Sequence, residues 1–115
     1  MALKIASSAS FRWPVEVHIP VDGGRFDKQT FDVEFKRLSR SDLEARLRKI
    51  ADGELEPIDF AKEIVVGWKG VLEESGDEVP YSEAMRDKLF DVGPVLAAIV
   101  KAYYEATGGA ARRKN

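Results

Sequence analysis

The sequence has no cysteine, a single histidine and no long apolar run. Without cysteine there is no disulfide framework, no zinc-finger spacing and no thiol nucleophile, a composition that fits a reducing compartment. With His18 alone, no imidazole cluster can hold a metal, and a Ser/His/Asp triad would need it beside a specially placed serine. The longest apolar run, Val95-Leu96-Ala97-Ala98-Ile99-Val100, is far shorter than the ~20 residues a membrane-spanning helix needs. The N-terminus, MALKIASSAS, lacks the extended apolar core of a secretory signal, so a cytoplasmic protein is expected. No glycine-rich phosphate loop, dinucleotide fingerprint or nucleophile elbow occurs. Carboxylate pairs can catalyse without histidine, but no spacing singles one out. The expectation is a non-enzyme with no metal and no cofactor.

What is present is an ordinary globular composition in 115 residues, 44% hydrophobic and 33% charged, enough for one domain with a modest core. The net charge of −2 is unevenly spread. Residues 53–91 are strongly acidic, with eleven acidic and four basic groups, whereas residues 36–52 and 92–115 are basic. Such a chain can bind its own neighbours head to tail, bind a partner of mixed charge, or simply present solvated helix faces.

Residues 1–13 read as a flexible arm ending in Phe11 and Trp13. From Pro14 the chain alternates: Val15, Val17, Ile19 and Val21 point one way and Glu16 and His18 the other, the pattern of a half-buried strand. Pro20 cannot donate to a ladder, so that strand is expected at an edge or interrupted there. A second alternation, Phe31, Val33 and Phe35 against Asp32, Glu34 and Lys36, completes a β-hairpin over 14–37 with a connection at 22–28. A hairpin alone is marginal in water, so helices must cover its apolar face.

Four helices are expected over 41–108. Ser41 with Glu44 makes a capping box for the first, and Asp52-Gly53 stops it. Pro57 opens the second, whose stripe is Ile58, Ala61, Ile64, Val65 and Trp68. Ser82 caps the third, and Gly93-Pro94 separates it from a fourth that ends at Gly108-Gly109. The fold class is therefore α+β, a hairpin on about four short helices. One domain spans 14–109, followed by a disordered basic tail at 110–115.

Gly67-Trp68-Lys69-Gly70 matches the Gly-x-x-Gly loop of KH domains, which clamps a nucleic-acid backbone. Its surroundings are acidic, whereas phosphate binding rests on positive charge, so no nucleic-acid partner is expected. Trp68 reads as a core or interface anchor whose indole N–H needs a partner. Glu73, Glu74, Asp77 and Glu78 lack the spacing of a calcium loop and read as a solvated turn. Phe11 and Trp13 either reach a partner from the arm or fold back on the helices. Tyr103 and Tyr104, with Phe11, Trp13 and Trp68, are the candidate partner-binding residues.

Three stretches taken together, FDVEFKRLSRSDLEARLRKI (31–50), EIVVGWKGVLEESGDEVPYSE (63–83) and VLAAIVKAYYEATGGAARRKN (95–115), resemble the tail assembly chaperones of long-tailed bacteriophages and prophages. The order of parts is similar over roughly residues 15–115. The resemblance implies a non-enzymatic factor that coats the tape measure protein, helps recruit tail tube subunits and leaves before the virion is complete. It implies the cytoplasm of a bacterial host, with no membrane partner, and allows self-association. Relatives often carry a programmed frameshift near the gene's end, and Arg113-Lys114-Asn115 can be encoded through the slippery run A-AAA-AAC. A small adaptor or inhibitor binding through its hairpin edge is the alternative reading.

Overall fold

In a computed structural model describing residues 1–5 and 8–108, the chain is an α+β protein with a three-stranded antiparallel sheet and four helices. The elements are β1 (Ser10–Val21), β2 (Arg25–Lys36), α1 (Arg40–Ala51), α2 (Pro57–Ile64), β3 (Val65–Lys69), α3 (Glu83–Phe90) and α4 (Gly93–Ala106). The expected tail at 110–115, and Gly109, lie outside the described residues.

The hairpin is longer at both ends than its alternation suggests. β1 starts at Ser10, so Phe11 and Trp13 belong to the strand and not to an arm. Phe11 pairs with Phe35 and Trp13 with Val33, which carries the sheet's apolar face past Pro14. At the other end pairing runs to Val21 and Arg25, leaving only residues 22–24 as the turn. Gly23 and Gly24 both have positive φ, 88° and 74°, which permits so tight a reversal. β1 is an edge strand, as its prolines require.

The third strand was not expected. The stripe assigned to one helix breaks at Ile64, and Val65–Lys69 pairs with β2 from Asp32 to Phe35, with an irregularity between Glu34 and Phe35. Trp68 is therefore a strand residue paired with Val33. The adjacent β-branched Val65 and Val66 favour extended backbone, and β3 covers part of β2's free edge.

α1 is capped two residues earlier than expected. Ser39, not Ser41, caps it, its hydroxyl accepting the Asp42 N–H at 3.1 Å. Leu38 and Leu43 then occupy the positions of a hydrophobic staple. Ser82 caps α3 as expected, accepting from the Met85 N–H at 3.1 Å. α4 has Pro94 in its first turn and ends at Ala106, just before Gly108.

The core lies between one sheet face and the helices. Val15, Val33, Phe35, Ile64 and Ile99 are completely buried. Tyr103 of α4 sits at its centre, edge-on to Phe35 at 5.1 Å and to Phe60 at 5.9 Å. Its hydroxyl donates to the Lys36 carbonyl at 2.9 Å, so this polar tip is buried with a partner.

Candidate functional site

α4 is too apolar for a single stripe. Beside its buried residues Val95, Ile99, Ala102 and Tyr103, a second row of Leu96, Ala97 and Val100 faces outward. This row is one wall of an open groove of about 600 Å³. Leu43 and Leu47 of α1 form the opposite wall, and Pro57 and Phe60 close one side from α2. Tyr104 and Lys101 complete the α4 side. The lining is aliphatic and aromatic apart from the lysine ammonium and the tyrosine hydroxyls, so the groove suits an apolar helix face better than a polar ligand.

The α1 wall is attached differently from the α4 wall. No α1 residue is buried, and its polar fastening to α2 is a forked ion pair. Arg46 donates from Nε to Glu63 Oε1 at 3.1 Å and from Nη2 to Oε2 at 2.8 Å. The Arg46 hydrogen bond holds the Glu63 carboxyl below the usual glutamate range, against a smaller upward push from burial. Glu63 in turn raises the Arg46 guanidinium.

The five candidate residues do not form one site. Tyr103, 1% exposed, is a core residue and unavailable to a partner in this fold. Its burial follows from its place on the α4 stripe one turn beyond Ile99. Tyr104, next to it, is half-buried and lines the groove. Phe11 is half-buried and stacks on Tyr103 with centroids 6.1 Å apart, so it folds back on α4. Trp13 remains 38% exposed, edge-on to Phe11 at 6.4 Å. With Arg12, Arg37 and Leu38 these rings edge a second cavity of about 400 Å³ at the base of the hairpin.

Trp68 stands apart from both. It is half-buried, its indole N–H donates to the Val79 carbonyl at 2.8 Å, and its ring meets Tyr81 edge-on at 5.0 Å. The contact ties β3 to the segment after the acidic turn, a structural anchor. The Gly67–Gly70 tetrapeptide is strand and strand end, not a loop joining two helices. The groove residues Leu43, Leu47, Leu96 and Val100 were missed as a site. The signal for them was the unbroken apolar run 95–100, which exceeds what one buried stripe uses.

His18 is exposed, 3.9 Å from Glu16 and beside Phe26, and with Glu16, Lys101 and Glu105 it lines a cavity between β1 and α4. Among the described residues, no three His, Cys, Asp or Glu side chains converge to hold a metal. No described helix is long and apolar enough to cross a membrane. Compared with known proteins, the chain matches no family model, no curated protein and no solved structure.

Proposed function

We propose that the protein is a tail assembly chaperone of a long-tailed phage or prophage. In this reading it holds an apolar helix face of the tape measure protein in the α1/α2/α4 groove. The observation that carries it is the groove itself, about 600 Å³ walled by aliphatic side chains on two helices. A long helical chain with exposed apolar stripes aggregates unless covered, and a groove of this character can cover one. The resemblance of segments 31–50, 63–83 and 95–115 to such chaperones points the same way. The hairpin with its helices behind it serves as scaffold, and recruitment of tail tube subunits follows in the cytoplasm of the bacterial host.

Co-expression with the tape measure protein of the same genome tests this. The expected result is a tape measure protein kept in the soluble fraction by the wild type, and lost to the pellet with Leu96→Asp. Leu96 is only half-buried, so circular dichroism can confirm that the variant still folds. A tape measure protein equally insoluble with and without the wild-type chain overturns the reading.

One observation favours an adaptor role through the hairpin. Phe26, 65% exposed, stands near the hairpin tip beside His18, and β2 residues 25–28 have no strand partner on the β3 side. Strand addition there would bind a partner without using the groove, and Phe26→Ser would then abolish binding where Leu96→Asp would not.

A further inference from the structure

The segment ahead of β1 keeps that strand's alternation. Met1, Leu3 and Ile5 fall in phase with Phe11, Trp13 and Val15, and Lys4 falls in phase with Arg12. β1 has a partner strand and a core to cover its apolar side, whereas Met1–Ile5 has neither. Leu3 is 95% and Ile5 94% exposed, and Met1 is fully exposed. The Arg37 N–H holds the Ala9 carbonyl at 2.9 Å, one position before the Ser10–Lys36 pair. β2 ends there and the chain turns into α1. Three uncovered apolar side chains on one short segment mark it for contact with an apolar surface.

The α1/α4 groove is such a surface, and its mouth lies at the same end of the molecule. Leu43, in the first turns of α1, and Tyr104, near the end of α4, form that mouth. Tyr103 lines both the groove and the cavity bordered by Phe11 and Leu38. From Ala9 across to Arg37 and on to Leu43 is at most about 18 Å, by the spacing of strands, the length of extended chain and the rise of a helix. Leu3 and Met1 lie six and eight residues before Ala9 and reach about 20 and about 26 Å. The spacing of side chains also agrees. In extended chain Met1, Leu3 and Ile5 project to one side at steps of about 6.7 Å. Leu43/Leu47 on one wall and Leu96/Val100 on the other step by about 6 Å. Lys4 then points out of the groove, away from Lys101, and no carboxylate of arm or lining is buried.

We infer that Met1–Ile5 docks as an extended segment in the α1/α4 groove of its own chain. Leu3 sits between Leu43 and Val100, Met1 between Leu47 and Leu96, and Ile5 at the mouth beside Tyr104. The short link to Ala9 holds the segment near the groove at an effective concentration on the order of millimolar, which sets its own chain ahead of a second copy. Docked there, the segment covers the groove until a partner displaces it. That placeholder role rests on the chaperone reading, whereas the docking itself needs only the groove.

The absence of cysteine makes a direct test simple, because Ala2→Cys gives the full chain a single site for a nitroxide label. Methyl NMR with the label oxidised and then reduced reads which side chains lie near it. The methyls of Leu43, Leu47, Leu96 and Val100 should lose most of their intensity in the oxidised sample. Those of Ile19 and Leu72, which line a cavity toward the hairpin tip, should keep theirs. Adding Leu3→Ser and Ile5→Ser, both at exposed positions, should restore the four groove signals. Groove methyls that stay sharp overturn the inference, and so does quenching that survives the two serines. Labelled chain mixed with unlabelled, isotope-enriched chain should show no quenching; quenching there puts the segment in a second copy and overturns the assignment to its own chain. Solubility of the co-expressed tape measure protein is read separately, so either reading can fail while the other stands.

Discussion

The two walls of the groove, α1 and α4, are helices of similar length held by unlike forces. α4 buries Val95, Ile99, Ala102 and Tyr103 in the core and adds a hydrogen bond from Tyr103 to the strand end at Lys36. α1 buries nothing fully; Leu43 and Ile50 pack partly against the core, and Arg46 forks onto Glu63 of α2. Burial near 25 cal/mol per Å² scales with area removed from water, so α4 is fastened by the same packing that stabilises the whole domain. α1 rests on half-covered leucines, a helix cap and an ion pair, each a small local contribution. A groove with one fixed and one lightly held wall can admit apolar helix faces of differing bulk. The lightly held wall is the side expected to open first.

The largest effect should separate the walls directly. Ile99→Ala removes a completely buried side chain and should cost about 2–5 kcal/mol. Leu43→Ala, in the same kind of helix but half-buried, should cost only about 1 kcal/mol by lost apolar burial. Urea denaturation of both variants gives the two numbers. Equal costs would erase the distinction between the walls.

How much of this was legible in the sequence follows the same division. Alternation at Val15, Val17, Phe31, Val33 and Phe35 marked the buried sheet face, because one strand register places all of them on the core. The α3 cap at Ser82 and the proline starts of α2 and α4 were equally readable, being local chemistry. β3 was hidden because Ile58, Ala61, Ile64, Val65 and Trp68 also fit a helical stripe. Period alone cannot separate the two when a helix runs directly into a strand. What decides it is β2's open edge, a partner distant in sequence. Ser39 and Ser41 compete as caps for α1, and Leu38 before Ser39 was the discriminating residue, since its staple partner Leu43 packs on the core. Tyr103 and Tyr104 look alike in sequence, and only the phase of α4 sends one inward and the other to the groove.

Smaller changes probe α1 without touching the core. Ser39→Ala removes the hydroxyl that accepts the Asp42 N–H and should cost about 1 kcal/mol. Amide exchange should quicken along 40–51 first, while protection in α4 holds. A uniform rise in exchange across both helices would mean that α1 unfolds only with the whole domain, and that its light fastening has no local consequence.

The least effect, and the most specific, comes from the Arg46–Glu63 fork. The hydrogen bond from Arg46 lowers the Glu63 pKa in the folded chain, with burial opposing it. A depressed carboxylate adds stability that is fully present above its unfolded value, in the ordinary glutamate range. That stability is lost as pH falls through the lowered folded value. Both side chains are partly exposed, so solvent and salt weaken the pair. Glu63→Gln should therefore be slightly less stable than wild type at neutral pH, and the difference should shrink to nothing on acidification below the lowered pKa. Denaturation midpoints of both proteins from pH 7 downward read this out. A gap that persists in acid would assign the loss to Glu63 packing rather than to its charge, leaving α1 held by its apolar contacts and its cap.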